Sequence, residues 1–254
     1  MRFFPVGHRW LSGVAALSAV VVLTGAAAQN GGSTRMPFGV GERADYQVKL
    51  GALSVGSGSI EVLGMETVRG ESTFHTRMQI TGGLGPARVN DRYESWIDSD
   101  GIFSHRFRQV IHELRYRRNR TYDFFPAEMS FRRDNGDTGT LASREPLDDL
   151  SFMYFVRTRS LEVGDVYTLN RYFKDDGNPV VIRVVRKERV RVPAGTFNTI
   201  VVQPVIKTDG LFGEGGRAEI FFSDDEHRIP VLIRSRVSRI GSLTMSLRSF
   251  RPRS

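Results

Sequence analysis

The densest cluster of side chains that could do chemistry is the run DDEH at residues 224–227. Aspartate, glutamate and histidine can bind a metal ion or act as general acid and base. Four adjacent residues cannot converge on one ion, because they alternate between two faces in a strand and fan outward in a turn. The flanking segments AEIFFS and RIPVLIRS are typical of strands. The sequence therefore predicts a solvated hairpin turn and no metal site, with Pro230 at the start or the edge of the next strand.

A second candidate is the basic segment 108–125, in which arginines are interleaved with aromatic residues. Clustered arginines can bind anionic lipid headgroups or an acidic polymer. In a regular strand the arginines at 118 and 120 share one face, and those at 115 and 117 share the other. The alternative is a solvated strand face, or an edge strand whose charges prevent aggregation. The predicted ligand-binding residues are Arg115, Tyr116, Arg117, Arg118, Arg120 and Tyr122.

Familiar catalytic patterns are missing from the sequence. It contains no cysteine, which excludes thiol catalysis and cysteine-ligated zinc. The histidines at 75, 105 and 112 are scattered, and none belongs to an HxH or HExxH pair. The segment VPAGTF at 192–197 lacks the glycine spacing and the lysine of a P-loop, so it predicts a tight turn with Gly195 at positive φ. The sequence predicts no cofactor and no metal, although a hydrolase site assembled in space stays open as an alternative.

The N-terminal segment has the pattern of a secretory signal. Basic residues precede the apolar run LSGVAALSAVVVLTG, and small residues at Ala26 and Ala28 fit a signal-peptidase site. In the stretch LTGA, Ala26 stands where a lipid-bearing cysteine would be, so we expect a soluble periplasmic or secreted protein cleaved near Ala28. An uncleaved anchor is the alternative, but the run is short for a membrane span. We expect a signal peptide at 1–28, a flexible tether at 29–36 and a single β domain at 37–252.

Alternating apolar and polar residues dominate the rest of the chain. Tyr46, Val48 and Leu50 lie on one parity of an early strand, and similar short segments follow one another with tight-turn residues between them. Because no helix separates most of these segments, the sequence predicts an all-β fold with neighbouring strands antiparallel. We expect a strongly curved antiparallel sheet or an open barrel-like β-spiral.

One stretch, EPLDDLSFMYFVRTRSL, departs from the β pattern. Leu150, Met153 and Tyr154 are placed at helical spacing, and Asp148 is a suitable N-cap. The sequence predicts one helix at about residues 148–158. We expect its apolar face to close the core by packing against the concave side of the sheet.

Three segments together resemble the bacterial exported family called domain of unknown function 3108. They are the helix segment LDDLSFMYFV, the VPAGTF turn, and the acidic turn that runs into RIPVLIRS. The opening strands, GERADYQVKLGALSVGSGSIEV, also fit that family, so the resemblance covers nearly the whole mature chain. It implies an antiparallel β fold in the cell envelope and no known catalytic residues. The curved-sheet lipoprotein carriers LolA and LolB offer a further analogy at the level of the fold.

Together these patterns predict a non-enzymatic envelope protein that binds a lipid, a lipoprotein or another amphiphile. The expected partner is an anionic lipid or another envelope component, and export argues against nucleic acid. One alternative is a binder of an acidic envelope polymer through residues 115–120. The other is a hydrolase. An apolar cavity inside the sheet would favour the amphiphile, whereas a cleft joining histidine to a carboxylate from another strand would favour catalysis.

Overall fold

Strands with alternating buried and exposed side chains account for most of the structure. The computed structural model describes residues 36–84, 87–113, 116–206, 218–237 and 241–254. The strands before the helix are β1 Arg43–Leu50, β2 Leu53–Val68, β3 Glu71–Leu84, β4 Ala87–Asp98, β5 Ser104–Glu113, β6 Tyr116–Phe125, β7 Ser130–Arg133 and β8 Thr138–Thr140. The helix α1 is Asp149–Arg157. The strands after it are β9 Val166–Leu169, β10 Val180–Val192, β11 Gly195–Val205, β12 Glu219–Ser223, β13 Pro230–Val237 and β14 Gly241–Arg251.

All fourteen described strands join one sheet, in which every neighbouring pair is antiparallel. The order runs from β8 back to β1, then from β14 back to β9. The first and last strands of the chain therefore meet in the middle of the sheet, where Tyr46 lies opposite Leu247. Strands β8 and β9 form the two ends of this order, so the sheet stays open. The predicted curved, antiparallel and unclosed sheet is confirmed.

The helix begins at an N-cap that its own sequence supplies. The Asp148 carboxylate accepts hydrogen bonds from the backbone N–H groups of Leu150 and Ser151, at 2.7 and 2.8 Å. In return the Ser151 hydroxyl accepts from the Asp148 N–H at 2.8 Å, which completes a capping box. The helix ends at Thr158 as its C-cap. The predicted helix at about residues 148–158 is confirmed.

The concave side of the sheet is filled by this helix and by aromatic side chains. Leu150, Met153 and Tyr154 are at most 2% exposed, and the Tyr154 ring meets the Phe38 ring edge to face at 4.7 Å. Burial on this scale stabilises by about 1.5–3 kcal/mol for each large apolar side chain. Beside the helix lies an aromatic cluster that contains Tyr93, Phe107, Tyr122, Phe124, Phe131 and Phe173.

Buried polar groups anchor the start of the helix to the sheet. One oxygen of Asp148 accepts hydrogen bonds from the hydroxyls of Ser95 on β4 and Ser104 on β5, at 2.6 and 2.7 Å. The carboxyl is fully buried, and this burial raises its pKa to about 6 although the four donors oppose the shift. Asp148 thus ties the first turn of α1 to two strands at once.

An ion pair anchors the other end of the helix. Arg157 is 3% exposed and Glu42 is 5% exposed. The two nitrogens Nη1 and Nη2 of Arg157 donate to the two carboxylate oxygens of Glu42 at 2.6 and 2.8 Å. Nη2 also donates to the His227 carbonyl at 2.8 Å and to the Pro37 carbonyl at 3.0 Å. The helix is therefore joined to the segment before β1 and to the turn between β12 and β13.

A pair of glycines lets β2 and β3 approach each other closely. Gly56 and Gly82 are direct partners in the ladder. A Cβ atom added to Gly56 would lie 2.0 Å from the Thr81 carbonyl oxygen, and one added to Gly82 would lie 2.2 Å from the Val55 carbonyl oxygen. Only glycine fits such an approach. This close approach lies beside a groove on the face of the sheet that the helix does not cover.

Candidate ligand-binding groove

The predicted basic site falls on β6, where the structure separates its members between two faces. Arg118 and Arg120 are half-buried and pair with Ile111 and Gln109 of β5, on the core side of the sheet. Arg117 is exposed on the opposite face. Strand β7 pairs with β6 only at residues 122–125, so the part of β6 that carries the arginines lies beyond this ladder. Arg115 lies outside the described residues, and for Tyr116 only the backbone pairing with Glu113 is described.

Tyr122 belongs to the core. It is 4% exposed, and its ring packs edge to face against Phe131 and Phe173, at 5.8 and 5.0 Å. The guanidinium of Arg133 covers the ring at 5.9 Å. The structure therefore brings Arg118, Arg120 and Tyr122 to one face but places Tyr122 deep inside it. Ligand binding by the residues of β6 stays a prediction.

The acidic run at residues 224–227 forms the turn between β12 and β13, as predicted. One oxygen of Asp225 accepts hydrogen bonds from the Ser223 hydroxyl at 2.7 Å and from the backbone N–H groups of His227 and Arg228 at 3.0 and 3.1 Å. These hydrogen bonds show that the Asp225 side chain stabilises the turn itself. Strand β13 starts at Pro230, also as predicted. Among the described residues, no three His, Asp or Glu side chains are grouped so that they could hold a metal ion.

Two histidines meet carboxylates from other elements, which is the arrangement that a hydrolase would require. His75 on β3 places Nδ1 2.8 Å from Glu66 Oε1 and Nε2 3.7 Å from Glu94 Oε1. Its ring stacks on Trp96 at 4.4 Å, and the indole N–H of Trp96 donates to Glu66 at 2.6 Å. The Trp96 hydrogen bond is the largest cause of the lowered pKa of Glu66. This cluster crosses three strands and lines none of the cavities described below.

The second pair, His105 and Asp98, supports the turn between β4 and β5. His105 Nε2 lies 2.9 Å from one oxygen of Asp98, and the other oxygen accepts from the Gly101 N–H at 2.7 Å. Burial by itself would raise the pKa of Asp98, but these hydrogen bonds lower it overall. His105 is 4% exposed. In the described part of the chain, the rings of both histidines form hydrogen bonds to carboxylates and to no serine or threonine hydroxyl.

The face of the sheet opposite the helix, here called the outer face, carries aligned polar side chains. The ladder places Asp45 on β1 opposite Ser59 on β2, and Ser59 opposite Gln79 on β3. It continues from Gln79 to Arg92 on β4 and from Arg92 to Val110 on β5. Because strands lie about 4.8 Å apart, this row crosses roughly 19 Å from β1 to β5.

A second row runs beside the first, two residues further along the strands. Ser57, Thr81 and Asn90 are successive partners in it. The hydroxyls of Ser57 and Thr81 lie 3.2 Å apart, and the Gln79 amide of the first row donates to Asn90 at 3.4 Å. Hydroxyl and amide groups therefore face solvent as two lines, about 7 Å apart, along the same direction across the strands.

Three adjoining cavities lie over these rows, with volumes of about 510, 580 and 190 Å³. The first and second share Thr81, the first and third share Gln79, and the second and third share Asn90. They form one continuous depression, here called the outer groove. The side chains that line it come from β1 to β5 and from β14: Arg43, Asp45, Tyr46, Val55, Ser57, Ser59, Gln79, Thr81, Arg88, Val89, Asn90, Arg92, Val110, His112, Arg248 and Ser249.

Ion pairs fix the position of the groove wall on β1. Glu61 is 8% exposed and lies between two arginines, with its oxygens 2.7 Å from Arg43 and 2.7 Å from Arg77. Arg43 also contacts Asp45 at 2.7 Å. The hydrogen bond that Arg43 donates to Asp45, and then its interactions with Glu61, raise the pKa of Arg43. The Arg43 side chain is thereby held in place at the edge of the groove before any ligand arrives.

The formal charge of the groove lining is positive. The side chains listed above include four arginines and one aspartate, which gives a formal net charge of +3 with His112 neutral. None of these lining residues was among the predicted ligand-binding residues. The alternation in β2 and β3 indicates which residues are polar and share one face of each strand. The alignment of Ser59, Gln79 and Arg92 across strands depends on inter-strand register.

Comparison with known proteins supports the fold. A family model described as "Protein of unknown function (DUF3108)" matches residues 45–248. A solved β-barrel-like protein of the domain-of-unknown-function family DUF1849 from Brucella abortus is similar at 12% identity and a TM-score of 0.51, over 84% of this chain and 98% of that chain. The hypothetical protein CT021 from Chlamydia trachomatis is similar at 9% identity and a TM-score of 0.40, over 87% of this chain and 91% of that chain. No curated protein matches the chain.

Long apolar helices are also missing from the described residues: none there has both the length and the hydropathy that crossing a membrane requires.

Proposed function

The chain belongs to the DUF3108 family, and on that premise we propose that it is an exported, non-enzymatic protein of the cell envelope that binds a ligand along the outer groove. Export is supported by the basic start, the apolar run and the small residues that precede Gln29. The family has no known function, so the choice of surface rests on the geometry of the sheet.

The observation that carries this proposal is the contrast between the two faces of the sheet. The concave side is filled by α1 and the aromatic cluster, with Phe107, Phe124 and Phe173 not measurably exposed. The outer face instead has a continuous depression whose two larger cavities fall within the usual range of ligand sites, about 300–1,000 Å³. The groups along it are donors and acceptors that already point toward solvent.

The lining favours binding over acid–base catalysis. Apart from the arginines and the buried Tyr46, its ionisable side chains are Asp45 on β1 and His112 on β5. These strands are four inter-strand steps apart, which is roughly 19 Å. A general acid and base must both reach the reacting atoms within hydrogen-bonding distance, so this pair cannot act together on one bond.

A matched pair of tryptophan substitutions on one strand tests the proposal. Ser57 and Thr67 are both exposed residues of β2, but only Ser57 lines the groove. Ser57→Trp should fill the groove, whereas Thr67→Trp leaves it open. Material that co-purifies from the native envelope is identified by mass spectrometry. We expect the wild type and Thr67→Trp to retain the same compound and Ser57→Trp to lose it. Equal retention by all three proteins would contradict the proposal.

Amphiphile binding is a second candidate, favoured by the position of Arg118 and Arg120. Both arginines are half-buried on the core side of β6, next to the buried Ile111, where β7 no longer covers the strand. A ligand with an anionic head and an apolar tail would suit such a boundary. Replacement of both arginines by glutamine should weaken binding to anionic vesicles at low salt, whereas Arg117→Gln on the opposite face should not. Equal effects of both changes would indicate diffuse surface attraction.

A further inference from the structure

The chemistry of the outer groove narrows the class of ligand. Its floor presents hydroxyls from Ser57, Ser59 and Thr81 and amides from Gln79 and Asn90. Such groups can both donate and accept hydrogen bonds, which matches a ligand rich in hydroxyl groups. The apolar side chains in the lining are Tyr46 on β1, Val55 on β2, Val89 on β4 and Val110 on β5, so no two of them come from the same strand.

Cationic groups stand at opposite margins of this polar floor. Arg248 belongs to β14, at one side of the groove, and Arg88 belongs to β4, at the other. Both side chains are exposed, and neither forms an ion pair with any residue in the described part of the chain. Arg43, in contrast, is held by Asp45 and Glu61. Guanidinium groups bind carboxylates through paired hydrogen bonds, so the free arginines provide two separated anion contacts.

The groove has the dimensions of a chain-binding surface. It crosses at least five strands, about 19 Å. The first polar row runs without a break from β1 to β4, about 14 Å, and the second runs from β2 to β4, about 10 Å. A single small anion would use one arginine and leave the rows of hydroxyl and amide groups without a role. A flexible strand of linked sugar units can follow both rows and place acidic groups at both margins.

Building on the proposed function, we infer that the outer groove binds an acidic polysaccharide: a chain of hydroxyl-rich sugar units that carries carboxylates. The hydroxyl and amide groups of β2, β3 and β4 bind the sugar hydroxyls. Arg88 and Arg248 bind carboxylates along the chain. Because these arginines are exposed, the binding weakens as salt is added.

Titration calorimetry with short oligomers of galacturonic acid tests this inference. We expect binding at low salt that decreases with added salt, and at least tenfold weaker binding of a neutral glucose oligomer of the same length. The double variant Arg88→Gln/Arg248→Gln should lose at least tenfold in affinity. The matched double variant Arg183→Gln/Arg191→Gln removes the same charge from exposed positions of β10, and it should bind as the wild type does.

Three results would overturn the inference: no binding of the galacturonate oligomer at low salt, equal losses in the two double variants, or binding of anionic vesicles without binding of the oligomer. The proposed function is tested separately. If Ser57→Trp loses the compound that co-purifies from the native envelope, but the wild type does not bind the galacturonate oligomer, the groove is a binding site for another ligand class. If Ser57→Trp retains that compound, the proposed function fails as well.

Discussion

The ion pair between Arg157 and Glu42 allows a quantitative test of how the helix is held. Replacement of Arg157 by methionine keeps a long side chain in the same space but removes both hydrogen bonds to Glu42 and those to the carbonyls of Pro37 and His227. The Glu42 carboxylate, 5% exposed, would then be buried without its partner. The pKa of Arg157 is raised because interactions with Glu42 outweigh the effect of burial, which alone would lower it.

Breaking a buried ion pair by removing one partner costs about 3–5 kcal/mol, because the remaining charge loses its compensation. We expect Arg157→Met to lower the free energy of unfolding by about 4 kcal/mol. For a domain of this size each kcal/mol shifts the melting temperature by about 2–4 °C, so the expected fall is roughly 8–16 °C. The double variant Arg157→Met/Glu42→Leu removes the orphaned charge and should recover most of this loss.

Urea unfolding followed by circular dichroism measures these differences. Arg159→Met serves as the control, because Arg159 is an exposed arginine just past the same helix, and it should change stability by no more than about 0.5 kcal/mol. A cost below about 1 kcal/mol for Arg157→Met, or a double variant as unstable as the single one, would contradict this expectation. Either result would mean that the pair is solvated or that the helix does not depend on it.

Three further predictions concern the helix and the acidic turn. Met153→Asp places an unpaired charge against the sheet and should cost several kcal/mol in thermal unfolding; an unchanged melting temperature would mean that the helix is an exposed lid. The pKa of Asp148 is raised from 3.8 to about 6, so its contribution to stability is present below pH 4 and is lost as the pH rises through 6. Between pH 4 and pH 7.5 the wild type should therefore lose roughly 2.5 kcal/mol relative to Asp148→Asn, and a pH-independent difference would contradict the shift. Asp225→Ala/His227→Ala should change stability by no more than about 1 kcal/mol, and zinc should not raise the melting temperature; zinc-dependent stabilisation that the variant abolishes would restore the metal hypothesis.

Local patterns in the sequence predicted the elements well, because their causes are local. The spacing of Leu150, Met153 and Tyr154 sufficed for the helix, and Asp148 as an N-cap sufficed for its start. The alternation of apolar and polar residues was enough to predict the strands. The composition of the VPAGTF turn was enough to predict a positive φ at Gly195, where φ is 135°. The short connections between strands predicted antiparallel neighbours, and this prediction is also confirmed.

The remaining features depend on which distant segments become neighbours. The pairing of β1 with β14 joins the two ends of the domain and leaves no mark in either strand's own sequence. Arg157 had the pattern of a favourable charge at a helix end, and only the tertiary fold shows that it is buried against Glu42. The groove arises from register, and register is shifted by irregularities such as the one between Val62 and Gly64. Patterns within single strands cannot reveal such alignment.

Cysteine labelling tests the central claim, that the outer groove is the ligand-binding surface, without any knowledge of the ligand. The chain contains no cysteine, so a single introduced residue gives a unique reactive thiol. Ser57→Cys places this thiol in the groove, and Thr67→Cys places it on the same strand outside the groove. The rate of maleimide labelling is compared between protein in its native envelope extract and purified protein freed of ligand. We expect the extract to slow labelling of Ser57→Cys several-fold and to leave the labelling of Thr67→Cys unchanged. Equal labelling of Ser57→Cys in both samples would contradict it.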